Sequence, residues 1–192
     1  MNCDGYVRSF IAVEISTAVR EKITRFQQRI SKSGVRASWV KPENIHLTLA
    51  FLGDIPIKSQ SIVSGLMDDV VALYRSFKCE VKGVGYFGRE SAPRIIWAGF
   101  SGDCEKLLHL QSDLLSRLAS TGMHLEDKPF IPHLTIARIK PQHHVYSIVP
   151  LLQPYREMSF GSLKVHDLVF CRSELSPVGP SYTEIHRSSF RP

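Results

Sequence analysis

Nowhere does this chain string together the eighteen or so apolar residues that a membrane-crossing helix requires, which excludes a helical membrane span. The opening MNCDGYVRSFIAVEIS has no basic segment leading into an apolar stretch, so no secretory signal is expected. Cysteine is scarce: Cys3, Cys79, Cys104 and Cys171, with no C-x-x-C pair, a usage expected of reduced, unpaired thiols in the cytoplasm. Lysine and arginine never run to five or six in a row, which excludes a histone-like tail or a polybasic anchor. No low-complexity segment and no clear linker interrupts the chain. A G-x-S-x-G elbow is missing too, so a Ser-His-Asp hydrolase has no support.

What is present is ordinary globular material, 43% hydrophobic and 22% charged in 192 residues. That length is long for one compact core and short for two independent ones, so a single domain, 1–192, of two lobes is expected. A net charge of +6, spread diffusely, favours an anionic partner such as a nucleic acid or nucleotide. Periodicity predicts strands at 8–15, 44–53, 78–87, 94–100 and 133–140, and final strands within 162–175 and 181–190. Helices are expected over 17–34, with Val19, Ile23, Phe26 and Ile30 inward, over 59–77, with Ile62, Leu66, Val70 and Leu73 inward, and over 103–121. A short helix is placed within 144–153. The pattern repeats in outline, an α+β protein with two pseudo-symmetric lobes, each an antiparallel sheet flanked by helices, and a cleft between them.

His-Leu-Thr-aliphatic occurs twice, in NIHLTLAFLG (44–53) and in FIPHLTIARI (130–139). Side chains alternate along a strand, so His46 and Thr48 share one face while Leu47 and Leu49 take the other. His133 and Thr135 stand in the same relation to Leu134 and Ile136. A lone strand histidine is ordinarily structural. Two copies, in matching places of two similar halves, point to a paired site. With the strands side by side, two imidazoles and two hydroxyls converge. A neutral imidazole accepts a proton from a nucleophile and a protonated one donates to a leaving oxygen, since a pKa of about 6.5 allows both forms near neutrality. Threonine hydroxyls donate to non-bridging phosphate oxygens, and a guanidinium neutralises their charge. A phosphodiester suits this set. Non-catalytic grip of RNA or a nucleotide by the same residues stays open as a second reading.

A metal centre is the weaker reading, because each motif supplies one imidazole and no third ligand follows at a ligand spacing. His143 and His144 are adjacent and would face opposite ways on a strand. His109, His124, His166 and His186 share no pattern and read as surface or structural. GVGYFG (83–88) matches G-x-G-x-x-G, but RESAPR follows where a helix should open, so these read as turn glycines.

With its flanks, the motif pair resembles the 2H phosphoesterase superfamily, and more closely the bacterial RNA 2′,3′-cyclic phosphodiesterases, formerly called 2′-5′ RNA ligases. RSFIAVEI, WVKPENIHLTLAFLGDI, GVGYFGRESAPRIIWAGF, LEDKPFIPHLTIARIK and LVFCRSELSPVGPSYTEI resemble that family's blocks, in order, across nearly the whole chain. The resemblance implies a bilobal α+β fold that opens terminal 2′,3′-cyclic phosphates to 2′-phosphomonoesters without metal or cofactor. It implies His46 as proton donor, His133 as proton acceptor, and Thr48, Thr135 and Arg138 as phosphate contacts. Strict alternation sets Arg138 opposite His133 in face, so its role rests on the resemblance or on a bulge. Ile131 stands where relatives often carry a polar or basic residue. Phe10 is a candidate for stacking on a base. The implied partners are RNA ends or nucleotides with a cyclic phosphate, met by a cytoplasmic monomer; 2′-5′ linkages and an ADP-ribose cyclic phosphate are alternatives the catalytic residues do not separate.

Overall fold

The computed structural model describes residues 5–102, 104–123, 125, 128–140, 148–177 and 179–191. Its first strand, β1 (Tyr6–Glu14), is the β-branched apolar run, and α1 (Thr17–Ser31) follows at once. Ser16 caps that helix, its Oγ accepting the Val19 N–H at 3.4 Å. Val19, Ile23, Phe26 and Ile30 are buried as their spacing predicts.

The remaining elements are β2 (Ala37–Trp39), β3 (His46–Pro56), α2 (Gln60–Val71), β4 (Phe77–Arg89), β5 (Ala92–Ser101), α3 (Glu105–Ala119), β6 (Leu134–Ile139), α4 (Val149–Leu152), β7 (Ser159–Val165), β8 (Asp167–Ser176) and β9 (Gly179–Ser189). The named strands pair antiparallel in the order β7-β4-β5-β6-β3-β1-β8-β9, with β2 against β6. The order divides at its centre into two four-stranded lobes. Their sheets are joined by strand pairing at one residue pair, Leu47 with Leu134, beyond which β2 takes over the free edge of β6.

The lobes are not the two halves of the sequence. β8 and β9 return to pair with β1, so the last strands complete the lobe that the first strand begins. The helices cross as well: α1 packs on β7 and β6, and α3 packs on α2 and β3. Buried apolar residues of both lobes form one cluster.

Other expectations are corrected. The inward face of α2 is Val63, Met67, Val70 and Val71, while Ile62 and Leu73 are exposed. That segment is apolar on two faces, and packing against β9 and α3 selects between them. The expected strand at 162–175 is two strands, because the chain leaves one lobe for the other at His166, whose carbonyl accepts the Phe190 N–H. The G-x-G-x-x-G glycines are not all turn residues. Gly85 lies within β4 beneath Trp97, and a Cβ there would run into the indole. Of the short helix expected within 144–153, Val149–Leu152 is helical. Residues 141–147, with His143 and His144, lie outside the described residues, as do Cys3 and His124.

Candidate active site

The two motifs meet at their middle residues. Leu47 and Leu134 are partners in the antiparallel register and both are 0% exposed. Flanking residues therefore fall opposite one another, His46 toward Thr135 and Thr48 toward His133, on the face the leucines leave. The two histidines are then diagonal neighbours across the strand pair, roughly 7–8 Å apart at their backbones. That spacing leaves room for one tetrahedral phosphate between the rings.

Each ring is anchored from behind. His133 Nδ1 is 2.7 Å from the Ile131 carbonyl, and His46 hydrogen-bonds the backbone of Asn44; in each case the partner is two residues upstream. A histidine held this way has the donor role of one nitrogen fixed and the other nitrogen turned to the cleft. Asn44 has a second task, since its amide donates to the Pro180 carbonyl at 2.8 Å and ties β9 to the motif.

His46 is packed more tightly than its partner. Its ring stacks on Phe10 at 4.7 Å and 17°, and Tyr182 sets its ring against it at 5.3 Å, near perpendicular. Burial lowers its pKa from 6.5 to about 4, against the Asn44 hydrogen bond that raises it. His133 meets Phe87 near perpendicular at 4.8 Å. Burial raises the Tyr182 phenol, and the charge of Arg138 opposes that. Cys171, paired with Phe10 across β1 and β8, is pushed up to about 11 by burial and by Glu14 and Glu184, so it offers no thiolate. Among the described residues, no group of three or more His, Cys, Asp or Glu could hold a metal ion.

Arg138 reaches the cleft through a bulge. Ile96 pairs with Ala137 and Trp97 with Thr135, so Ile136 is an extra residue in β6. Ile136 and Ala137 both turn inward, and Arg138 comes out beside Thr135 rather than opposite to it. β3 has the same device at the matching residue: Ile11 pairs with Ala50 and Ala12 with Thr48, skipping Leu49. Here Phe51 emerges on the His46 face.

Two buried glutamines hold these bulges. Gln27 of α1 donates to the Ile136 carbonyl at 3.0 Å and to the Val40 carbonyl at 2.8 Å. Gln111 of α3 donates to the Leu49 carbonyl at 3.3 Å. Each helix thus supports the motif strand of the other repeat. Replacing Gln27 by Leu removes the side-chain donor from two carbonyls and is expected to lower unfolding stability by about 1–3 kcal/mol, measured by urea denaturation. Gln27→Glu, which lacks the amide donor in the same shape, should do no better; wild-type midpoints in both would refute the role.

The structure thus brings His46, His133, Thr48, Thr135 and Arg138 to one face. It does not leave Phe10 for a base: the residue is 4% exposed and its ring is taken up by His46 and Tyr182. Its position supports the imidazole instead. Tyr182, Asn44 and the glutamines went unread in the sequence. Phe51 had a signal there, since aligning HLTLAF with HLTIAR sets it against Arg138.

The family described as LigT like Phosphoesterase matches residues 13–97, a stretch that includes His46 and Thr48. An RNA 2′,3′-cyclic phosphodiesterase of Thermotoga maritima is 32% identical over 96% of this chain and 96% of its own. One of Aquifex aeolicus is 32% identical over 93% of this chain and 95% of its own. Among solved structures, TT0787 of Thermus thermophilus superposes with a TM-score of 0.80 at 29% identity, over 96% of this chain and 98% of that one.

Proposed function

Because this chain belongs to the LigT-like phosphoesterases, the 2H group its paired motifs resemble, we propose that it hydrolyses 2′,3′-cyclic phosphate ends of RNA or nucleotides to 2′-phosphomonoesters. The observation that supports the reading is the register of the two motifs on Leu47 and Leu134, which brings the two histidine-bearing segments side by side.

In this scheme His133 takes a proton from the water that attacks phosphorus, and His46 gives one to the departing 3′ oxygen. The bond to that oxygen breaks, and phosphate stays on the 2′ oxygen. Thr48 and Thr135 donate hydrogen bonds to the non-bridging oxygens, and Arg138 offsets charge building there. His46 is neutral near pH 7 in the free protein, so it takes up its proton together with the anion. The resulting imidazolium lies over the Phe10 ring, a placement that favours the charged form.

The scheme takes RNA ends or nucleotides as partners and asks for no cofactor and no metal, in a cytoplasmic monomer. Among the described residues no helix is long and apolar enough to cross a membrane. The test is incubation with an oligonucleotide ending in a 2′,3′-cyclic phosphate, in excess chelator, with the product read by phosphorus NMR. A 2′-phosphate is expected. A 3′-phosphate product, or turnover that appears only on adding metal, would refute the scheme.

A further inference from the structure

Beyond Thr135 the outer edge of β6 carries a row of cations of which the proposed chemistry uses only the first. The bulge at Ile136 turns Arg138 to the face of Thr135, and Lys140 follows two residues later on the same side. β2 supplies the other half of this surface. Ser38 pairs with Arg138, and the ladder runs on to Arg36, whose carbonyl accepts the Lys140 N–H at 3.1 Å. Ala37, Trp39 and Ile139, which alternate with these residues, pack against the core. Arg36, Ser38, Arg138 and Lys140 are therefore exposed together on one face. Like charges directly opposite one another weaken a strand pair, and Arg36 opposite Lys140, with Arg138 beside them, is such an arrangement. Nothing in the edge itself relieves it, since β2, β5 and β6 contain no Asp or Glu. An anion from outside the chain would.

We propose that Lys140 and Arg36 bind the backbone phosphates of the RNA immediately upstream of its cyclic end, so that the strand leaves the cleft along β2 and β6. This rests on the proposed reaction, which puts the terminal phosphate beside Arg138. Lys140 stands roughly 7 Å further along β6, about the step between neighbouring phosphates of an extended RNA strand, and Arg36 lies opposite it. Contacts to phosphate carry no sequence information, so this track lengthens the grip on RNA without selecting bases.

Calorimetric titration separates the track from the reaction. The probes are a short RNA ending in a 2′-phosphate and the same strand with uncharged methylphosphonates at its last two linkages. Each single-strand phosphate contact scales affinity as salt concentration to the power of about −0.7, which is about 5-fold at 0.1 M salt. Wild type is therefore expected to prefer the charged strand by about 25-fold. Arg36→Gln and Lys140→Gln should each lose about 5-fold on the charged strand and flatten its salt slope by about 0.7. Neither should change affinity for the methylphosphonate strand or turnover of adenosine 2′,3′-cyclic phosphate. Thermal unfolding should stay at the wild-type temperature or rise, because each variant removes a like-charge contact. Equal wild-type affinity for the two strands, or variants that lose neither affinity nor slope, overturns the track. So does an equal loss on both strands, which would assign these cations to the terminal phosphate. The expected losses in a protein that turns over no cyclic phosphate would instead refute the reaction and leave the track standing.

Discussion

Replacing His46 or His133 by alanine is expected to lower kcat/KM on a 2′,3′-cyclic-phosphate oligonucleotide by about 10²–10⁴-fold in each case. The two rings act on one phosphorus, one removing a proton as the other supplies one, so their effects should not multiply. With either gone, the remaining partner works on a reaction that is already slow, and the double variant should fall little below the worse single. Initial rates on all three variants, beside thermal unfolding to confirm folding, check this. Full activity in either single variant would sink the scheme. Loss of binding with no wild-type turnover at all would favour the non-catalytic reading of the motifs.

Acidification should destabilise the free protein through His46 in a defined window. Above pH 6.5 the ring is neutral in folded and unfolded chains, and it contributes no pH dependence. Below 6.5 the unfolded chain takes up a proton that the folded one refuses until about pH 4, because burial depresses His46. Stability is therefore lost between pH 6.5 and 4, by roughly 3 kcal/mol in total. The nearby charges do not cancel this. Glu14, the cross-strand partner of His46, is paired with Arg187 at 2.9 Å. Asp68 titrates in a separate window. Burial pushes it up, but hydrogen bonds from Ser188 and His186 outweigh that and hold it below 3.8, so its contribution is lost only at lower pH. Urea midpoints at pH 7.0 and 4.5 should diverge for wild type and much less for His46→Gln. Parallel midpoints in the two proteins would refute the assignment. Saturating phosphate, by favouring the imidazolium, should shrink the wild-type loss.

The pairing of the two motifs was legible because it is written locally: strand alternation alone puts His46 with Thr48 and His133 with Thr135. The inward stripe of α1 was legible for the same reason, four apolar residues at helical spacing with polar neighbours between. Arg138 was reached in the sequence through the resemblance and Phe51 only by aligning the two motifs, and neither facing was legible. Their facing depends on one extra residue in each strand, and that residue is held by a glutamine 109 or 62 positions away in sequence. No local pattern reports a contact of that range. The inward face of α2 was misread because Ile62 and Val63 are equally apolar and tertiary packing decides between them. Phe10 was read as a candidate for stacking on a base, but its ring is covered by Tyr182 of β9, the strand that Asn44 ties to the motif.

The return of β8 to pair with β1 has a consequence during synthesis. β1 emerges from the ribosome early, yet one of its edges has no partner until residues 167–176 have been made. Until then the nascent chain carries an apolar strand with open amides, the kind of edge that invites misassociation. Pairing across so long a loop is also slow, so the native sheet closes late. Arg8 and Glu14, exposed charges on this strand, are what stand between that waiting edge and another chain.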